Sequence, residues 1–283
     1  MMMSDAGNCE FIHTRPTTVQ LRQFQPEHPL KWYDYAELWL ESTLGHVLDY
    51  GCGDGSFLAR IAKRCVTRTG VDIDPEKIKK ASCGTGIRAI HIRPGEPLPF
   101  EDGTFNTVVF QEVIEHVADE RAILAELTRV LAPGGILLLT TPHRGLLTFL
   151  DPGNLKFAMP RFHRFIHVTL LRRKEYYEER FGAGRKSGLG MIADFTTDQE
   201  AWHRHYFYGQ IRALAPRELE TLGWAVYYPA FRAMWSFSLV LKVLTLGRLK
   251  GLPFPFRQLD NQFSRMETRL GDQLLVLFRK VNE

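Results

Sequence analysis

The sequence predicts an α/β fold, a doubly wound sheet of seven mostly parallel strands with helices on both faces. Three observations carry this. A short apolar run, Val47-Leu48-Asp49-Tyr50, is followed by Gly51, Gly53 and Gly55 at alternate positions and then by Phe57-Leu58-Ala59-Arg60-Ile61. That is a strand, a tight turn of the kind glycine tolerates best, and a helix start against which a ligand can lie on bare main chain. Strand-like and helix-like patterns then alternate, which implies parallel strands joined by crossover helices. Finally, Gly70-Val71-Asp72-Ile73-Asp74 reads as a second strand ending in a carboxylate. It lies roughly twenty residues beyond the glycine turn, where nucleoside-binding folds accept the ribose hydroxyls.

The elements follow in order. Residues 1–45 read as a helical leader, because Leu30 to Leu40 carries apolar residues at helical spacing, and it is expected to lie over the cofactor site. The domain proper spans 46–283. Its predicted strands are 47–50, 69–73, 87–92, 105–110, 136–140, 224–228 and 273–279. Its predicted helices are 56–63, 75–82, 119–131 and 216–222. Two insertions, at about 141–215 and 231–272, leave from the carboxyl ends of strands, the edge where open α/β sheets bind ligands, and are expected to form a substrate cap.

The glycine turn departs from the dinucleotide fingerprint, which needs its third glycine at Ser56 and not at Gly55. It resembles instead the first motif of the class I S-adenosylmethionine-dependent methyltransferases, whose fold is Rossmann-like. Leu98-Pro99-Phe100-Glu101-Asp102-Gly103-Thr104-Phe105, Gln111-Glu112-Val113-Ile114-Glu115-His116-Val117 and Leu131-Ala132-Pro133-Gly134-Gly135 match later motifs of the ubiquinone/menaquinone-methyltransferase-like branch, in order. The chain departs from the family pattern at Asn106, where Asp is usual, and at Arg93-Pro94, where a Gly-Asp pair often stands. The resemblance implies S-adenosyl-L-methionine as cofactor. Gly51, Cys52, Gly53 and Gly55 would line its approach, and Asp49 would fix the loop or reach the methionine amine. It further implies that Asp72 holds the ribose, Ile73 packs on adenine, and Phe110 and Gln111 line the methionine half. Read without the resemblance, Asp72 is a helix cap or a surface carboxylate.

Methyl transfer to oxygen or activated carbon calls for a general base, and histidine suits neutral pH. His143 directly follows the fifth strand, and His205 lies in the same insertion; both are candidates. His116 is expected to brace a strand-to-helix junction. His163 and His167 are four apart on a predicted helix, but no carboxylate or cysteine nearby in sequence completes a metal site, and no metal is expected.

The net charge of +4 is uneven. Between Asp151 and Gly190 nine basic residues face four acids, so that stretch is +5 and the remainder −1. Residues 159–171 place Phe162, Phe165, Ile166, Thr169 and Leu170 on one helical stripe beside Arg161 and Arg164, a pattern met at membrane surfaces and anionic lipid sites. Residues 233–246 are apolar nearly all round, yet shorter than the ~20 residues that span a bilayer. These features point to an amphiphilic, anionic acceptor, lipid-linked or glycan-like. Two alternatives stand beside it: a small-molecule (quinone or secondary-metabolite) methyltransferase, and a catalytically silent S-adenosylmethionine-binding module. No nucleic-acid module is visible. Four cysteines without metal or CxxC spacing, and a start lacking a secretory pattern, make the cytoplasm the expected compartment. Peripheral attachment at the inner membrane face accompanies the lipid-linked reading.

Overall fold

The structure is a computed structural model that describes residues 15–83, 86–145, 148, 159–181, 204–245, 248 and 252–281. Seven strands form one sheet: β1 (Gly45–Tyr50), β2 (Cys65–Asp72), β3 (Arg88–His91), β4 (Phe105–Gln111), β5 (Leu131–Pro142), β6 (Leu219–Tyr227) and β7 (Gln273–Lys280), in the order β3-β2-β1-β4-β5-β7-β6. Every neighbouring pair is parallel except those made by β7, which runs antiparallel between β5 and β6.

Side chains alternate across the pleat, so each central strand feeds two cores. On one face Leu48, Val108, Phe110, Leu137, Leu139 and Val276 pack with Leu124, Leu127 and Val130 of α5 (Glu120–Val130). On the other, Val47, Val109, Leu138, Leu275 and Leu277 meet the leader and the helices that follow β1 and β2. These are α3 (Ser56–Arg60) and α4 (Pro75–Ser82). Helix α4 has a clear start: Asp74 caps it by accepting the Glu76 and Lys77 amides, and Pro75 occupies the first turn.

The leader forms α1 (Thr18–Gln23) and α2 (Trp32–Trp39). Tyr35 stacks on Tyr227 with ring centroids 4.4 Å apart, and Trp39 donates Nε1–H to the Tyr227 hydroxyl at 2.9 Å, so α2 closes the sheet's second face. Arg60 of α3 pairs with Asp34 and Glu37 of α2, joining the leader to the helix behind the glycine turn.

Two sequence expectations change. The segment 216–222 is not helical. β6 begins at Leu219, and the helix before it is α8 (Tyr208–Leu214), within the span read as the first insertion. Pro-Arg-Glu-Leu-Glu suits a helix start locally, but pairing with β7 from Leu219↔Lys280 onward overrides that preference. The stripe at 159–171 also divides. α6 (Pro160–Arg164) runs on as a π-helical turn (Phe165–Leu170), which buries Ile166 while Phe162 and Phe165 stay 48% and 47% exposed. Helix α7 (Lys174–Phe181) follows it. The insertion between β6 and β7 holds α9 (Phe231–Leu244) and α10 (Phe256–Ser264). Much of the basic first insertion, including Lys156, Arg185 and Lys186, lies outside the described residues.

Candidate cofactor and acceptor site

A cleft of about 930 Å³ opens at the carboxyl ends of β1, β2 and β4. Tyr50 and Gly51 border it where β1 ends, Asp72 and Ile73 where β2 ends, and Gln111, Glu112 and Val113 where β4 ends. Ile92, Pro94 and Gly95, past β3, with His116, Val117 and Asp119, before α5, complete its walls, and Trp32 of α2 stands at its rim.

The glycine turn is held from behind. The Gly51 and Cys52 amides both donate to the Val71 carbonyl, at 2.8 and 3.0 Å. The Gly53 amide donates to Asp72 Oδ2 at 2.8 Å, and the Asp74 amide donates to Asp72 Oδ1 at 2.9 Å. Asp72 therefore spans the turn and the start of α4 while still lining the cleft; the helix cap belongs to Asp74. Gly51 and Gly55 sit at φ +83° and +78°, and any Cβ on Gly51 would overlap the Val113 side chain. Gly53, at φ +56°, has open space where a Cβ would stand.

Of the residues singled out in the sequence, Gly51, Asp72, Ile73 and Gln111 border the cleft directly. Asp49, Cys52, Gly53, Gly55 and Phe110 stand behind it. Cys52 is buried against Gly70, where a Cβ would come within 2.6 Å of its Sγ, and burial raises its thiol pKa far above the usual range. Phe110 is fully buried and meets Tyr50 edge to face at 5.5 Å, so it backs the wall that Tyr50 forms. Sequence reasoning missed Tyr50, Glu112 and Trp32 as cleft residues. The signal for Glu112 was its place at the end of β4. It adopts a left-handed backbone (φ +52°), and its carboxylate accepts Thr140 Oγ1 at 2.9 Å and Gln273 Nε2 at 2.5 Å.

Electrostatically the cleft favours a cation. Asp72, Asp74, Glu96, Glu112, Asp119 and Glu126 line it against Lys77. Asp49 lies fully buried beneath the turn, and desolvation, with the nearby Asp72 charge, pushes its pKa up to about 7. Gln111 Oε1 is buried without a hydrogen-bond partner. A group bringing N–H donors and positive charge would satisfy both. That fits the ammonium and sulfonium of S-adenosylmethionine.

His143 and His205 come together elsewhere. His143 ends β5 and bridges to Tyr206. Its Nδ1 lies 2.8 Å from the Gly271 carbonyl, which can only accept, so Nδ1 carries the proton and the neutral ring keeps its lone pair on Nε2. Burial first, then Arg232 and His205, lower its pKa. Neither histidine borders the cleft. The neighbouring Arg204 reaches it indirectly: its guanidinium donates to the Glu115 carbonyl at 3.0 Å, to the Val117 carbonyl, and to Glu120 at 2.6 Å. The loop it clamps carries His116, which does border the cleft. His163 and His167 lie tilted against each other, ring centroids 4.6 Å apart, beside Tyr177. Among the described residues no group of three or more His, Cys, Asp or Glu converges as a metal site. The Asn106 departure is structural: its Oδ1 accepts the His46 amide at 2.9 Å, at the opposite end of the sheet.

Sheet order, the glycine turn and the carboxylate that ends β2 together form an α/β domain of the kind that holds a nucleoside-containing cofactor. Residues 48–139 match the family model described as "Methyltransferase domain", in line with the resemblance of the sequence motifs to class I S-adenosylmethionine-dependent methyltransferases. Among curated proteins, the chain is 35% identical to norajmaline N-methyltransferase of Rauvolfia serpentina over 36% of this chain and 37% of the other. It is 35% identical to ubiquinone biosynthesis O-methyltransferase of Xanthomonas euvesicatoria over 39% of this chain and 48% of the other. The chain thus spans less than half the length of these relatives. A solved S-adenosylmethionine dependent methyltransferase from Mesorhizobium loti aligns over 88% of this chain and 98% of its own, at 15% identity and a TM-score of 0.48.

Proposed function

We propose that the chain transfers a methyl group from S-adenosylmethionine to an oxygen or carbon of an amphiphilic, anionic acceptor. The observation that carries the cofactor half is the carboxylate-lined cleft at the strand ends, with Gln111 Oε1 buried unsatisfied at its wall. Bound there, S-adenosylmethionine supplies an electrophilic methyl group. Asp72 and the glycine turn would hold its ribose and tail, Ile73 its adenine, and Gln111 its ammonium, with the buried Asp49 beneath the turn adding negative charge. Positioning is the main catalytic contribution such a site makes, worth roughly 7–11 kcal/mol when reacting atoms are held near contact. His143, with Nε2 free of its proton at neutral pH, is the candidate base, and His205 is its neighbour and alternate.

The acceptor reading rests on exposed Phe162 and Phe165 beside Arg161 and Arg164, and on the apolar second insertion. A lipid-linked acceptor would bring the chain to a membrane surface as a peripheral protein. Among the described residues no helix is long and apolar enough to cross a bilayer. A small-molecule acceptor, a quinone or secondary metabolite, is the second reading, favoured by the norajmaline and ubiquinone in the names of the two relatives.

The test is calorimetry with S-adenosylmethionine, then incubation with the methyl-labelled cofactor and cell extract followed by organic–aqueous partition. Absence of cofactor binding sinks the proposal. Label only in the aqueous phase selects the small soluble acceptor.

A further inference from the structure

The insertion between β6 and β7 has a polar, anchored root and an apolar, cationic tip. At the root, Arg232 at the start of α9 is 3% exposed and pairs with Asp272, which is equally buried. Its second guanidinium nitrogen donates to the His143 carbonyl at 3.1 Å. On the returning helix, Asp260 of α10 accepts the Tyr228 hydroxyl, and Ser264 accepts the Leu30 amide at 2.9 Å. These contacts fix both legs to the ligand edge of the sheet.

Away from the root the side chains change character. Val240 is 52% exposed, Leu244 73%, Phe254 63% and Phe256 39%. The two legs touch through Phe237 and Phe256, whose rings lie 4.8 Å apart. From residue 221 to 259 the sequence contains no Asp or Glu, but it holds Arg232, Lys242, Arg248, Lys250 and Arg257. Arg232 is committed at the root. The described part of the tip therefore sets these apolar groups beside the exposed Arg248 and Arg257, in a stretch of sequence that holds no carboxylate.

We infer that the α9–α10 hairpin docks its tip onto an anionic lipid surface. An apolar tip alone would equally suit a second copy of the chain. The charge decides the occupant, because the same cationic tip on a second copy would repel this one, whereas anionic headgroups complement it. At fourteen residues, α9 is too short to span a bilayer, so the hairpin lies in the interface and does not cross it. The inference extends the amphiphilic-acceptor reading and rests on it for its purpose, but the two fail separately, since docking is measured without turnover.

The experiment is co-sedimentation of the full chain with vesicles of phosphatidylcholine containing about 30% phosphatidylglycerol, against phosphatidylcholine alone. The anionic vesicles should bind at least about tenfold more tightly, and salt raised to about 0.5 M should weaken binding. Arg248→Glu with Arg257→Glu, and separately Leu244→Ser with Phe254→Ser, should each lose about tenfold in vesicle affinity while cofactor affinity and melting temperature stay unchanged. A readout that needs no variant is hydrogen exchange of the wild-type chain with and without anionic vesicles, in which protection should centre on residues 231–259. Failure to bind anionic vesicles overturns the inference, as does protection elsewhere or binding by both variants as tight as that of the wild-type chain. So does a dimer in solution that Leu244→Ser with Phe254→Ser converts to monomer, which would show that a second copy covers the tip.

Discussion

The Gly53 amide donates to Asp72 Oδ2 at 2.8 Å, so the carboxylate that ends β2 also fixes the turn that follows β1. Asp72 has its other oxygen on the Asp74 amide. One side chain thus sets the shape of the turn and offers its remaining lone pairs to the cleft. Asp72→Ala should lower S-adenosylmethionine affinity by at least about tenfold, since hydrogen bonds to a charged group contribute about 1.5–3 kcal/mol each. Titration calorimetry reads this directly; unchanged affinity would remove Asp72 from the site.

The two glycines of the turn should respond differently to alanine. At Gly51 the new Cβ overlaps Val113, whereas at Gly53 it meets open space and only the left-handed backbone resists. Gly53→Ala should therefore cost about 1 kcal/mol of stability, and Gly51→Ala clearly more. Chemical denaturation of the two variants side by side checks the order.

Asp49 makes both stability and affinity depend on pH. Its folded-state pKa, about 7, lies above the ordinary carboxylate value. A raised carboxyl stabilises the fold below the unfolded pKa and loses that contribution as pH rises from about 4 to about 7. The cofactor-free chain should therefore become less stable across that window, and Asp49→Asn should flatten the trend. Cofactor affinity should move the opposite way, rising with pH towards 8 as the carboxylate ionises beside the ammonium. Calorimetry at several pH values separates the two slopes.

Breaking the buried pair at the root of the hairpin should be severe. Asp272→Ala leaves Arg232 buried without its carboxylate, a loss of about 3–5 kcal/mol, which corresponds to a fall in Tm on the order of 10 °C. Replacing both residues by apolar ones of similar size should recover much of it. Thermal melts of the single and double variants decide this.

Arg204 should act on the cleft without touching it. Arg204→Ala removes the clamp on the Glu115 and Val117 carbonyls and should speed hydrogen exchange of residues 114–119 while weakening cofactor binding several-fold. Arg204→Lys should restore part of the affinity. Normal exchange in that loop would leave Arg204 a purely peripheral contact.

The parallel half of the sheet was legible because its signals are local. The capped start of α4 falls at Pro75, and Phe105–Phe110 alternates between two cores as an interior strand does. Gln111 and Asp72 could be picked out because strand ends mark the ligand edge. What escaped was set by distant partners. β6 begins at Leu219 because β7 pairs with it from some fifty residues further on. Glu112 became a cleft residue through a backbone conformation that no propensity announces, held by Thr140 and Gln273 from two other strands. The exposure of Phe162 and Phe165 was hidden for a similar reason: periodicity identifies an apolar stripe but not which side of it meets the core.

The place of β7 has a consequence for how the chain is made. Of the seven strands described it is the last in sequence, yet it fills the gap between β5 and β6 and supplies Leu275 and Val276 to opposite cores. Until Lys280 emerges, β5 keeps an unpaired edge and β6, the outermost strand, has no partner in the sheet. The nascent chain therefore carries a nearly finished parallel half beside unpaired strands, the condition under which strand exchange between neighbouring copies competes with folding.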